Sequence, residues 1–398
     1  MKQYISLLKS EHTLRKLFIV QFISYFGAWF SNVAIYTLLI HLEVQPQIIA
    51  FVASLHFLAG VFQAPISGTI IDKVDLKKLM IFLMSIEILA TFFLIFINDI
   101  SDLYLLYVLI FIKMSSASFY FTTEMTLVPK IVDKKNLQQA NELHSIIWSL
   151  SYTLGMAVSG FVVYWLGVKV AFLVDAFLFV IGLILLFSIK INTKKIKINE
   201  NILEMMLDTF RYLKKSPKAL HLMIVHSFVG LTVFDVLVAL MVDEYYKIIL
   251  ATSLALGLLN SFRAIGLIIG PVFINRWLNH KTLTYLFIFQ AITVWLWVYC
   301  MYDFYLSLFV SILVGLSTTS LWSYTYTLLH KNIEEEYYGR IIAYNDMLFL
   351  SVASFTSFFI GYLAKHNFSL EFITVLLGFC FIIGALYYHW VFKTQNIN

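Results

Sequence analysis

Charge is scarce in this chain of 398 residues: only 13% are Asp, Glu, Lys or Arg, while 61% are hydrophobic. That supply of polar surface cannot cover a water-soluble globule of this length. Cysteine is nearly absent as well. Cys300 and Cys380 both fall inside apolar runs, which excludes a disulfide framework, and both read as small apolar side chains. No His/Cys cluster has the spacing of a metal site, and no glycine-rich phosphate loop is present. No Ser/His, paired-Asp or metal constellation suggests an intramembrane enzyme. Catalysis, a cofactor, a bound metal and direct ATP drive are therefore not expected.

Long apolar runs, by contrast, fill the chain. A membrane-crossing helix needs roughly 20 apolar residues, because lipid offers the backbone no hydrogen-bond partner. Twelve segments meet this requirement, at residues 17–40, 48–71, 79–97, 103–123, 143–166, 168–189, 220–241, 254–274, 283–301, 305–329, 341–363 and 370–392. The expected fold class is an all-α membrane protein with 12 transmembrane helices. No segment outside these runs is long enough for a soluble domain. The first run is too long for a signal-peptide core and lacks a small-residue cleavage site, so it is expected to remain as a helix.

The net charge of +5 reports orientation rather than nucleic-acid binding. Of the 28 lysines and arginines, Lys169, Lys247 and Lys365 fall in one set of loops, and Lys113 and Arg263 fall in spans. All the others lie in the termini and loops of the opposite side. By the positive-inside rule that side is the cytoplasm, and both termini face it. The Ile-, Lys-, Phe- and Asn-rich usage points to a bacterium, so a multi-pass protein of the bacterial cytoplasmic (cell inner) membrane is expected.

One loop is long. Between Lys190 and Lys218 the chain is rich in Lys and Asn, and this stretch separates two sets of six spans. Within it Ile202, Met206, Phe210 and Leu213 recur at helical spacing before Lys214 and Lys215, the pattern of an amphipathic helix at the inner surface and a tether between halves. The expected organisation is an N-terminal six-helix bundle at 1–190, a cytoplasmic linker at 191–218 and a C-terminal six-helix bundle at 219–398. The halves echo one another. Ile71-Asp72-Lys73 has a counterpart in Ile274-Asn275-Arg276, and Asn141 in Asn345, both about 203 residues further on.

Two six-helix repeats flanking a basic loop resemble the major facilitator superfamily, built as pseudo-symmetric bundles. The loop Gly68-Thr-Ile-Ile-Asp72-Lys73-Val-Asp75-Leu76-Lys77-Lys78 resembles that family's signature G-x-x-x-D-R-x-G-R-K. The resemblance implies a conformational latch formed by Gly68, Asp72 and Lys73 with Arg340 at the start of the eleventh span. Leu127-Val-Pro129, Asn136 to Asn141, Gly155 to Gly160 and Phe172-Leu-Val-Asp175-Ala are similar to the macrolide-efflux type of drug:proton antiporter. Gly155-Met156 stands where such antiporters often have Gly-Pro. Ala28 stands where many have an acid, which would move the titrating acid elsewhere.

Charges inside spans are costly and therefore call for a partner or a purpose. They are Glu87, Lys113, Asp175, Asp235 and Arg263, with Glu124 at the end of the fourth span. Lys113 occupies the place where the family usually has an Arg tied to proton coupling. Glu87 in the adjacent hairpin is its expected partner, either in a fixed ion pair or in a switch that a proton releases. Asp235 and Arg263 are the matching proton-coupling candidates of the second half. Asp175 is expected to play a structural hydrogen-bonding role, and His56 and His226 to be packing histidines. The resemblance puts the first and tenth spans at the central cavity, where Tyr25, Trp29, Trp322, Tyr324 and Tyr326 would hold an amphipathic, cationic compound.

The function expected from this reading is secondary active transport by alternating access, with drug-resistance-type efflux of amphipathic small molecules in antiport with protons. A metabolite or siderophore exporter, a proton-coupled importer and a non-transporting membrane sensor remain open as alternatives. The expected partners are a small-molecule substrate, protons and the lipid bilayer, with no nucleic acid, and the chain is expected to act as a monomer.

Overall fold

The computed structural model describes residues 2–133, 136–190, 202–274, 276–334 and 337–395. Among the described residues the regular structure is entirely helical, and twelve helices are long and apolar enough to cross a membrane. All twelve coincide with the runs read from the sequence. A short leading helix α1 (Lys2–Ser10) precedes them. Then come α2 (His12–His41), α3 (Pro46–Lys73), α4 (Leu76–Phe93), α5 (Leu103–Ile131), α6 (Leu137–Leu166) and α7 (Val168–Ser188). Next are α8 (Ile202–Lys215), the linked pair α9 (Pro217–Ser227) and α10 (Asp235–Met241), and α11 (Thr252–Ile274). The last four are α12 (Leu283–Cys300), α13 (Phe304–Lys331), α14 (Tyr338–Lys365) and α15 (Leu370–Thr394).

Local chemistry sets the boundaries. The side chains of Asp75, Asp303 and Ser369 accept hydrogen bonds from the backbone amides of Lys78, Leu306 and Phe372, capping α4, α13 and α15. Gly167 adopts φ of 85° between α6 and α7, a conformation that costs a residue without Cβ little, so two spans join through a single residue. Along the spans, large apolar side chains such as Phe82, Phe177, Ile184, Phe273 and Leu386 stay more than half exposed. In a multi-pass membrane protein these rings and branched chains meet lipid rather than water.

The helices gather into two compact units. The first comprises Met1–Glu43, Phe62–Ile198 and Ala251–Ser261; the second comprises Val44–Val61, Asn199–Leu250 and Phe262–Asn398. In the first, Leu14, Leu17 and Val20 of α2 share a core with Met80, Leu83 and Met84 of α4 and with Phe179 and Leu186 of α7. Part of α11 belongs to this unit. A Cβ on Gly257 would lie 2.7 Å from the Met156 carbonyl oxygen, so the backbones of α6 and α11 touch there.

The second unit is built on the same kind of contact. Gly266 and Gly270, four residues apart on α11, face Gly315 and Leu316 of α13. A Cβ at either glycine would lie about 2 Å from a carbonyl oxygen of α13. The first part of α3 belongs to this unit, where Ser54 Oγ donates to the Ser354 carbonyl at 3.0 Å and Ser354 Oγ returns a bond to the Ser54 carbonyl at 3.3 Å. The amphipathic stretch of the linker is helical as α8. Its Phe210 ring meets Tyr344 edge-on, its Tyr212 stacks on Tyr337 at 4.1 Å, and Leu213 is buried. These contacts tie α8 to the start of α14, while Leu207 and Phe210 each stay 54% exposed.

Candidate functional site

The first unit holds a charge centre with no access to water. Lys113 Nζ of α5 donates to Asp175 Oδ2 of α7 at 2.6 Å, with the two side chains 5% and 0% exposed. Ser31 Oγ of α2 donates to the same oxygen. The Lys113 ammonium also lies 5.7 Å from the centre of the Phe179 ring. Asp175 Oδ1 has no hydrogen-bond partner among the described residues. It packs against Gly27 of α2, where a Cβ would come within 2.7 Å of it. Gly27 is therefore what admits the carboxylate between α2 and α7. A carboxylate does sit beside Gly27, supplied by α7 instead of by position 28.

The partner of Lys113 is thus Asp175, not Glu87 as the hairpin argument expected. Lys113 and Asp175 are 62 residues apart, and the pairing arises because α7 packs against both α2 and α4. Glu87 is buried at 4% exposure and interacts electrostatically with both Lys113 and Asp175. It forms no ion pair among the described residues. The expected structural hydrogen bond of Asp175 exists, from Ser31, but within a centre that also carries the charge of Lys113.

Toward the far end of α5 lies a second buried group. Tyr25 donates to Glu124 Oε2 at 3.0 Å, and His144 Nε2 of α6 lies 3.9 Å from the same oxygen. Trp29 packs on Tyr152 at 4.4 Å and edge-on to Trp148 at 6.0 Å. Tyr25 therefore engages a carboxylate, and Trp29 belongs to an aromatic cluster. Glu124, placed by the sequence at the end of the fourth span, is 0% exposed.

In the second unit the seventh span is interrupted. After α9 the chain makes a tight 3-10 turn at Phe228–Thr232 and restarts as α10 at Asp235. Gly230 permits this by lying against the α14 backbone, where a Cβ would be 2.7 Å from the Phe349 carbonyl oxygen. Arg263 Nη1 donates to the Thr232 carbonyl at 3.3 Å, and its guanidinium lies over the Phe234 ring at 5.9 Å. The expected Asp235–Arg263 pair is thus not an ion pair among the described residues. Arg263 instead ties down the break just before Asp235.

His226 is a packing histidine, as expected, bonded through Nδ1 to Thr325 Oγ1 at 2.8 Å and ringed by Trp322, Tyr326 and Phe349. His56 Nδ1 lies 2.9 Å from the Val52 carbonyl oxygen. Trp322 stacks on Tyr326 at 5.0 Å, and Tyr326 donates to Asp346 Oδ2 at 3.4 Å. Tyr324 is half-buried on the same helix. Asp346 and His144 escaped the sequence reading, although each is a titratable residue within an apolar window, at its sixth position in Ile341–Lys365 and its second in Leu143–Leu166.

The latch residues Gly68, Asp72, Lys73 and Arg340 lie at helix ends, with side chains outside the described set. Outside the spans the perturbed groups have local causes. Hydrogen bonds from Ser101 hold the Asp99 carboxyl below its usual range, and a hydrogen bond to Glu371 pushes the Tyr302 hydroxyl up. No group of three or more His, Cys, Asp or Glu able to hold a metal ion occurs among the described residues.

The sequence model of one protein family, the Major Facilitator Superfamily, matches residues 17–356. Two curated relatives from Bacillus subtilis (strain 168) are described as uncharacterized MFS-type transporters. YkuC is 25% identical over 177 residues, covering 44% of this chain and 41% of the relative. YfiS is 26% identical over 182 residues, covering 46% and 43%. The matched stretch thus spans less than half the length of either relative. Among solved structures, the nucleoside transporter NupG superposes with a TM-score of 0.76 at 13% identity, covering 96% of this chain and 99% of NupG. A bacterial homolog of the human lysosomal transporter Spinster gives 0.73 at 11% identity, covering 96% of this chain and 97% of that protein. At such identities the likeness concerns the fold alone.

Proposed function

The chain belongs to the major facilitator superfamily, and on that premise we propose that it is a secondary active transporter that exports amphipathic small molecules in exchange for protons. The macrolide-efflux type is the branch proposed. The alternating bundles are residues 1–190 and 219–398, joined by the linker 191–218. Both termini lie in the bacterial cytoplasm, the chain works as a monomer, and Gly68, Asp72, Lys73 and Arg340 form its conformational latch.

The observation that carries this reading is the buried Lys113–Asp175–Ser31 centre with Glu87 beside it. A fully desolvated ion pair is no more stabilising than well-packed apolar side chains, so a bundle held together only by packing gains little from it. A proton-exchanging centre needs such groups. With Asp175 ionised, Lys113 ties α5 to α7. A proton on Asp175 removes the attraction, and the ammonium is then free to turn toward Glu87, the other acid in its field. Proton occupancy thereby becomes helix position. Asp235 and Arg263 form the second coupling locus, at the break in the seventh span. Tyr25, Trp29, Trp322, Tyr324 and Tyr326 supply the aromatic surface for the cargo.

The test is transport by purified protein in proteoliposomes loaded with a pH dye, challenged with lipophilic cations and macrolides. Substrate-dependent proton movement is expected, and Asp175→Asn and Glu87→Gln are each expected to abolish it while leaving substrate binding measurable. Flux that carries no protons removes the antiport reading.

A further inference from the structure

The Tyr25, Glu124 and His144 group has features that packing alone does not require. Glu124 is 0% exposed and His144 is 5% exposed, so neither side chain can exchange its missing hydrogen bonds for water. Glu124 Oε2 is held by the Tyr25 hydroxyl at 3.0 Å. His144 Nε2 stands 3.9 Å from that oxygen, too far for a hydrogen bond and close enough for an ion pair if the ring is charged. Glu124 Oε1, His144 Nε2 and the Tyr120 hydroxyl all lack a hydrogen-bond partner among the described residues. The backbone and the ring of His144 are both held by neighbours. The Gln21 amide donates to the His144 main-chain carbonyl at 3.3 Å, and the rings of Tyr25 and Phe121 meet it edge-on.

One proton resolves the vacancy at His144. Carried on His144 Nε2, it gives the orphaned nitrogen a hydrogen to donate and gives the carboxylate a cation, and the 3.9 Å gap closes to hydrogen-bond length. The titratable side chains facing this place come from four helices. Tyr25 lies on α2, Tyr120 on α5 beside Glu124, His144 on α6, and Glu87 of α4 interacts electrostatically with both tyrosines. Among the described residues, His144 is the one basic side chain within ion-pair distance of Glu124. The Lys113–Asp175 centre uses other residues of α5 and α7, and Glu87 interacts electrostatically with that centre and with the tyrosines of this group.

We infer that Glu124 and His144 form a proton-binding site of their own, separate from the Lys113–Asp175 centre. The imidazole takes up one proton on Nε2 and closes on Glu124 Oε2, with the Tyr25 hydroxyl holding the carboxylate. Protonation draws α6 onto α5 and α2, and loss of the proton releases it. The use of this movement in transport rests on the proton-coupled reading above; the site itself does not.

The experiment reads carboxyl protonation directly, without transport. Full-length protein in lipid nanodiscs is treated with a hydrophobic carbodiimide, which attacks protonated buried carboxyls, between about pH 5 and pH 9. Peptide mass spectrometry then measures the adduct on Glu124. An imidazolium favours the ionised carboxylate and so suppresses labelling. His144→Gln is therefore expected to extend labelling to higher pH, moving the midpoint up by about one unit or more. Tyr25→Phe, which keeps the ring and removes one hydrogen bond to the carboxylate, is expected to move it in the same direction by less.

Superimposable curves for wild type and His144→Gln overturn the site. Protection of Glu124 by sodium, relative to choline at equal ionic strength, overturns it in favour of a metal-cation site. If His144→Gln does not elute as a folded protein, the decision falls to Tyr25→Phe, whose unshifted curve overturns the site. A shifted midpoint in a protein whose flux carries no protons keeps the site and removes the coupling; coupled flux with coincident curves does the reverse.

Discussion

At the scale of single residues, the chain places unlike costs side by side and lets them cancel. Lys113 and Asp175 are each expensive in the interior and tolerable together, and Gly27 provides the space in which the carboxylate sits. Lys113→Met leaves Asp175 buried without its counter-ion and is expected to cost about 3–5 kcal/mol. Adding Asp175→Leu removes the orphaned charge, so the double variant should return to within about 1 kcal/mol of wild type or exceed it. Thermal unfolding in detergent separates the outcomes: equal losses in single and double variants would mean that the pair is not the interacting unit. Gly27→Ala pushes a methyl group to within 2.7 Å of Asp175 Oδ1. It is expected to lower the apparent melting temperature by an amount equivalent to about 1–3 kcal/mol, the usual cost of overfilling a packed contact. Measured against an Asp175→Ala background instead of wild type, the same change should cost much less, because the obstructing oxygen is gone.

At the scale of elements, two devices shape the second unit. One is the glycine seam between α11 and α13, where the backbones touch at Gly266, Gly270 and Gly315. Gly266→Leu and Gly270→Leu cannot be seated without separating the helices. Each should reduce the folded yield in fluorescence-detected size exclusion far more than Ile268→Ala, a change at an exposed position on the same helix. The other device is the interruption between α9 and α10, whose Thr232 carbonyl takes a bond from Arg263. A broken helix in lipid must satisfy its freed backbone groups from neighbours. Arg263→Gln removes this charged donor, so faster amide hydrogen exchange is expected across residues 228–238, with α12 and α15 unchanged. Uniform protection there would show that the break is held by the Gly230 contact alone.

At the scale of the whole molecule, membership of the major facilitator superfamily rests on a match across residues 17–356 and on twelve apolar helices. The proposed direction of threading rests on where the lysines and arginines lie in the sequence. In a background with Cys300→Ser and Cys380→Ser, Lys169→Cys and Lys365→Cys should react with a membrane-impermeant maleimide added to intact cells. Lys78→Cys and Lys281→Cys should react only after the cells are opened. The opposite pattern would invert the proposed topology and put the termini outside.

Much of this was legible without coordinates. Each span is a local property: a window of about 20 apolar residues partitions into lipid whatever its neighbours do, so all twelve helices were readable from the chain. Lys113, Glu87, Asp175, Asp235 and Arg263 were visible for the same reason, as charges in windows that disfavour them. Partnership was not readable, because it depends on which helix faces turn toward each other. Only the packing of α7 against α2 and α4 decided that Lys113 meets Asp175 and not Glu87. Only the approach of α6 to α5 brought His144 beside Glu124. The break before Asp235 carries no proline to announce it. It follows from a backbone contact between Gly230 and α14, residues more than a hundred positions apart. Composition sets how strongly each segment seeks the membrane; the close approach of distant backbones sets which buried charges share a site.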